Sequence, residues 1–210
     1  MFRLIEHFGL LRPGVACLHF APERSAAPRF RAVWGKGYDT VDFDANRYRF
    51  ANARHFDLCR DTFALEDQRY DLILHNHVFE HIPCNYGAVF LQLRRSLKIG
   101  GIHIFSVPVH LGRYAEDQNP LSKEEREQRF GQHDHVRRFG VDDYDQTIGA
   151  LVDLHNATTW DRMFPALELT EMRIRQGRWE RGALFMVACR RVAADLGGRD
   201  ELIAPVSIHS

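Results

Sequence analysis

The chain has 210 residues with 28 Lys+Arg against 28 Asp+Glu and 45% hydrophobic content, enough for one good core. Its zero net charge argues against a nucleic-acid binder that relies on a broad basic field. No run reaches the roughly 18 apolar residues that span a bilayer, so no membrane partner is expected.

The first residues lack a secretory pattern, because Glu6 and His7 interrupt it before an apolar region forms. Cys17, Cys59, Cys84 and Cys189 show no paired spacing, and three of them fall in or beside apolar runs. That reads as reduced, buried thiols in a cytoplasmic protein.

Residues 2–12 read as a short amphipathic helix stopped by Pro13-Gly14. Val15–Phe20 reads as a strand buried on both faces. Pro22 suits the first turn of a following helix, which Pro28 limits or kinks. Tyr38–Asp44 and Ala53–Cys59 are two more strand candidates, each meeting an acid near its end. The fourth carries the densest chemistry: Leu72-Ile73-Leu74 feeds His75-Asn76-His77, and Val78-Phe79-Glu80-His81-Ile82-Pro83 follows. Tyr86, Val89, Phe90, Leu93 and Leu97 then repeat at helical spacing, with Pro83 as the start and Lys98 and Gly100 as the stop. Gly101–Val109 is a fifth strand.

Residues 111–135 turn polar and charged, and Ser122 and Glu125 have capping-box spacing, as in an inserted lid. Val141, Tyr144, Ile148 and Leu151 fit one more helical face. Leu167–Ile174 and Ala183–Cys189 look like a late antiparallel pair of strands. From about Ala193 no core pattern remains, so residues 193–210 read as a frayed, disordered tail behind a single domain over 1–192. Strands alternating with helices predict an α/β fold with a mostly parallel sheet.

Three pieces, Tyr70-Asp71-Leu72-Ile73, His77-Val78-Phe79-Glu80-His81-Ile82 and Leu97-Lys98-Ile99-Gly100-Gly101, stand in an order and spacing that resembles class I S-adenosylmethionine-dependent methyltransferases. The resemblance runs from about Val15 to Val109, with a looser echo through His135–Gly140. It implies a Rossmann-like, mostly parallel sheet of about seven strands, with an antiparallel strand at one edge and helices on both faces. It also implies S-adenosyl-L-methionine as cofactor and a small-molecule acceptor as partner.

Under this resemblance Asp42 takes the ribose hydroxyls, with Asp44 as a rival on the same strand face. Asp57 and Leu58 fall near the adenine, Phe43 is a further cofactor-binding candidate, and Asn76 and His77 lie on the cofactor floor. Read without the family, Asp42 and Asp44 are better taken as solvated turn acids, and Asp57 is equally a loop or cap carboxylate. His19-Phe20-Ala21-Pro22-Glu23 stands where the family places a glycine-rich loop; Ala21 is small, whereas His19 and Phe20 add bulk. Glu23 either pairs with the cofactor's positive charge or complements a helix N-terminus.

Methyl transfer needs positioning, and a base only where the acceptor carries a proton. His77, His81, His110 and His135 are candidates, with His110 and His135 preferred as catalytic. Arg137 and Arg138 either bind an anionic acceptor or form an exposed basic pair. Tyr114 and Phe130 cover the site or anchor the lid. His77-Val78-Phe79-Glu80-His81 also fits the spacing of inverted zinc peptidases, but Pro83 disfavours the continuing helix which that motif needs, so no metal is expected. A third reading is a non-catalytic module whose cofactor pocket is filled by His19 or Phe20.

Overall fold

In a computed structural model of the chain, residues 1–153, 184–191 and 200–208 are described. α1 (Phe2–His7) precedes β1 (Cys17–Phe20), followed by α2 (Ala27–Trp34), β2 (Tyr38–Asp42), the two-residue β3 (Arg54–His55) and β4 (Tyr70–Asn76). α3 (Tyr86–Ser96) and β5 (Leu97–His110) complete the central unit. The excursion beyond β5 holds β6 (Ala115–Glu116), α4 (Lys123–Phe130) and β7 (Arg137–Gly140). α5 (Tyr144–Thr147), β8 (Val152–Asp153), β9 (Leu184–Arg190) and β10 (Asp200–Ile208) follow. Leu167–Ile174 lies outside the described residues.

The main sheet runs β3-β2-β1-β4-β5-β9-β10-β8. Pairing is parallel from β3 through β5, and β9 is antiparallel to both β5 and β10. The antiparallel strand therefore lies inside the sheet, with β10 and β8 beyond it. Asp200–Ile208, expected as part of a frayed tail, instead forms a strand beside β9.

Alternation along the strands sorts the core into two layers. Leu18, Ile73, Phe105 and Val107 pack with Val89, Phe90 and Leu93 of α3. Cys17, Leu72, Leu74 and Ile104 pack with Leu4 and Ile5 of α1 and Phe30 and Trp34 of α2. Helices thus cover both faces.

Local chemistry moves several predicted boundaries. Pro28 does not limit α2; it sits in its first turn, where a missing N–H costs nothing, while Pro22 stays in the preceding loop. α3 starts not at Pro83 but after Asn85, whose Oδ1 accepts from the Ala88 N–H at 3.0 Å. β5 begins at Leu97 rather than Gly101. Its register against β4 shifts between Tyr70 and Leu72, and Gly100 absorbs the irregularity at φ +80°.

The excursion after β5 returns beside the strand it left. β7 pairs in parallel with the end of β5 (Val109 with Phe139, His110 with Gly140) and antiparallel with β6. Ser122 and Glu125 form the expected capping box at the start of α4. Arg137 fastens the return: its guanidinium donates to the carbonyls of Phe79 and Cys84 and to Glu116. Fully buried, it is not half of an exposed basic pair and offers no free charge to an acceptor. Tyr114 anchors this region, packing on Phe139 and donating its hydroxyl to Glu116.

The expectation of four reduced thiols is also corrected. Cys59 and Cys84 are joined in a disulfide, while Cys17 and Cys189 are free and buried. The partners are 25 residues apart in sequence and meet because the β3–β4 and β4–α3 connections lie side by side. Two of the four cysteines thus no longer support a reducing compartment.

Candidate active site

The carboxyl ends of β1, β2 and β4 open onto one cleft, the usual ligand position in such sheets. One part, of about 360 Å³, is lined by Phe20, Ala21, Asp42, Phe43, Asp57, Leu58 and His77 among others. The second, of about 570 Å³, is lined by Glu23, Asn76, His110, Phe130 and His135 among others. Ala21, Arg47, Tyr48, His77, His81 and Asp134 border both, so the space is continuous.

The glycine-free loop after β1 is accommodated by where its side chains go. Ala21 takes φ +48°, a left-handed conformation that costs a residue with a Cβ roughly 1–2 kcal/mol, and its single methyl leaves the loop's approach to the cleft open. Its N–H still reaches the Val41 carbonyl at 3.1 Å, keeping the loop tied to β2. His19 is fully buried against Tyr38 and Phe30 and does not border the cleft. Phe20 packs edge-on against Phe56 and His75 and forms part of the floor.

Behind the loop, His19 Nδ1 meets the Tyr38 hydroxyl at 2.7 Å, and its Nε2 lies 3.2 Å from Glu23 Oε2. Asn76 Nδ2 donates to Glu23 Oε1, and Ser106 Oγ donates to Asn76 Oδ1 at 2.8 Å. Burial alone would raise the Glu23 carboxyl; the hydrogen bond and charge of His19, with the Asn76 donor, outweigh it and hold Glu23 below the usual carboxylate range.

At the other end Asp42 borders the cleft, whereas Asp44 is exposed outside it. Asp42 Oδ1 accepts the Asp44 N–H at 2.7 Å, so the turn uses one of its oxygens. Burial, reinforced by the Asp44 charge, raises the Asp42 carboxyl despite that hydrogen bond. Asp57 serves the fold as well as the cleft: it accepts the Cys59 N–H at 2.9 Å and faces Arg60 at 3.7 Å. Phe43 is 69% exposed at the mouth, against His55.

His75 and His77 do not share a face. His77 adopts φ +52°, which breaks the strand alternation and turns it to the cleft rim. Its Nδ1 is 3.1 Å from Glu80 Oε1; that bond outweighs burial and raises the imidazole pKa. His75 is buried among Phe79, His103 and Phe105 and belongs to the core. His135, brought in by the lid's return, is buried, and burial and the nearby His81 lower its pKa.

Residues 12–169 match a family model described as "Methyltransferase domain". The chain belongs to that family. No match was found among curated proteins.

Among solved structures, this methyltransferase domain is similar to geranyl diphosphate C-methyltransferase from Streptomyces coelicolor A3(2). The TM-score is 0.51 at 12% identity, covering 71% of this chain and 56% of that one. It also resembles a SAM dependent methyltransferase from Archaeoglobus fulgidus, with TM-score 0.49, 15% identity, and 71% and 64% of the two chains covered. The domain thus spans less than two thirds of either structure. At these identities the likeness is one of fold.

The cleft of the methyltransferase domain is also bordered by residues that the sequence did not single out. Arg47 and Tyr48 enter from the 3₁₀ segment Ala45–Ala51, which has no periodic signal, and Asp134 from the lid. Nothing in the matches supports the zinc hydrolase reading, and no helix runs through His77–His81.

Proposed function

We propose that this domain is an S-adenosyl-L-methionine-dependent methyltransferase acting on a small-molecule acceptor, with neither nucleic acid nor a membrane as partner. One observation carries the reading: the cleft stays open from Asp42 and Asp57 to His110 although its first loop lacks glycine. The rival binding-module reading requires His19 or Phe20 to fill that space, and both are packed into the core.

The residues present suit this cofactor. Asp42 offers a carboxylate to the ribose hydroxyls, through the oxygen that the Asp44 turn does not use. Leu58 and Phe43 offer apolar surface to the adenine, and Asp57 holds the turn that presents Leu58. Glu23, kept ionised by His19 and Asn76, supplies countercharge to an ammonium or sulfonium. Ala21, Asn76 and His77 form the floor between.

When bound, the cofactor supplies a methyl group on a cationic sulfur that leaves as a neutral thioether. The protein's share is then to hold the acceptor in line and to exclude water. The only proton to move is one on the acceptor. His110, at the end of β5, is the base we favour; His135 stands deeper in the same wall.

Calorimetric titration of the purified chain with S-adenosylmethionine and S-adenosylhomocysteine tests this. Micromolar binding of either is expected, and no binding to both at millimolar concentration overturns the reading. Mass spectrometry of candidate acceptors after incubation then identifies the one that gains a methyl group.

A further inference from the structure

The lid's return brings together groups that the sequence keeps apart. Glu80 and His81, from the β4–α3 connection, and His135, from the lid, offer ligand atoms all within 4.8 Å of one another. The rings of His81 and His135 stand edge to face at 4.7 Å. The arrangement is firmly held, because the Val136 N–H donates to the Glu80 carbonyl at 2.9 Å and Arg137 clamps the same two segments.

The cluster is short of partners. Glu80 is fully buried and His135 is 4% exposed. Glu80 Oε2 and both ring nitrogens of His135 lack a hydrogen-bond partner. The Phe130 carbonyl favours a proton on the His135 ring, yet no hydrogen bond of good geometry forms. Leaving such groups unpaired forfeits their hydration without return, and the loss is larger for a charge. Hydrogen bonding inside the cluster would pair one nitrogen with one oxygen, whereas a cation satisfies all three side chains together.

Two imidazoles and one carboxylate form a donor set that suits divalent first-row metals and leaves coordination positions open. Around such an ion, ligand atoms at about 2.1 Å lie roughly 3.0–3.5 Å from one another. The side chains here therefore need to close by about an ångström, and His81, only partly buried, has room to rotate. His81 Nδ1 faces the Asp134 carbonyl at 3.3 Å, which leaves Nε2 as its ligand atom. His77, 3.1 Å from Glu80 Oε1, is the outer partner that orients the carboxylate.

We propose that Glu80, His81 and His135 bind one divalent transition-metal ion at the acceptor end of the cleft. Its open positions face the space lined by Pro108, His110 and Phe130, where it holds an acceptor through an oxygen or nitrogen lone pair. The acceptor role rests on the methyltransferase reading; the ion site does not. His135 is then a ligand rather than a base, which departs from the sequence expectation of no metal.

The test titrates the full chain, stripped with a chelator, with Co²⁺ alone. One equivalent should bind with visible d–d absorption that Zn²⁺ abolishes. His81→Asn and Glu80→Gln should each weaken binding by at least about 10-fold. His81 is only partly buried, so its variant should keep the wild-type circular dichroism spectrum. No cobalt absorption, or undiminished binding by a folded His81→Asn variant, overturns the site. S-adenosylmethionine is titrated separately. Cobalt binding without cofactor binding removes the methyltransferase reading and keeps the ion site; the converse removes the ion site alone.

Discussion

Glu23 Oε2 stands 3.2 Å from the Nε2 of a fully buried His19, and its other oxygen accepts from Asn76. Two residues that look like bulk in a glycine-free loop thus form a buried link beneath it. Glu23→Gln keeps an acceptor for Asn76 but removes the charge. We expect about a 10-fold loss in S-adenosylmethionine affinity, roughly 1.4 kcal/mol, by calorimetry at neutral pH. Because the Glu23 pKa is lowered in the fold, its charge persists through the ordinary carboxylate range and is lost only as pH falls through the lowered value. Wild-type affinity matched by the variant would remove Glu23 from cofactor recognition.

Asp42 and Asp44 separate by position. Asp42→Ala should weaken cofactor binding by about 10- to 100-fold, as expected for loss of a carboxylate that accepts two hydroxyl hydrogens. Asp44→Ala, exposed and outside the cleft, should change it less than about threefold. Parallel titrations of the two variants decide the assignment, and equal losses would show that the whole turn, not Asp42, makes the contact.

The buried imidazoles should make the fold acid-sensitive. Burial lowers His103 to about 3, and burial with the charges of His103 and His19 drives His75 well below its usual value. Unfolded imidazoles titrate near about 6.5. Below that pH the unfolded chain binds more protons than the folded one, so stability is full above it and falls as pH drops. The loss should reach about 2 kcal/mol per imidazole at about pH 5. His103 stacks on Phe90, so His103→Phe suits the site and should roughly halve the slope in urea denaturation across this range.

Reduction should loosen the region beside the cleft. The Cys59–Cys84 bridge closes a 25-residue separation, and a loop of that size contributes about 3 kcal/mol. Thermal denaturation should show Tm lower by roughly 6–12 °C with reductant, and Cys59→Ser/Cys84→Ser should match it without reductant. Leu58 and Ile82, neighbours of the bridged segments, both border the cleft, so cofactor affinity should weaken in parallel. A Tm unaffected by reductant would argue that the thiols are not joined in solution.

Much of the frame was legible because its signals are local. The apolar run Leu72–Leu74, the helical spacing from Tyr86 to Leu93 and the Ser122–Glu125 capping box each act within a few residues. The resemblance singled out Asp42 and Asp57, and both border the cleft. Arg47 and Tyr48 were not, because a 3₁₀ segment offers no period to read.

The sequence by itself determined the α/β alternation, the order of the central strands' motifs and the acids at their ends. Tertiary structure decided where each histidine lies. A single positive φ at His77 ended the alternation that would have placed it beside His75. The pairing of β7 with β5 carried His135 to His81, and two neighbouring connections brought Cys59 to Cys84. Backbone propensity acts over one or two turns, whereas those meetings depend on sheet order and lid path, which no nearby residue encodes.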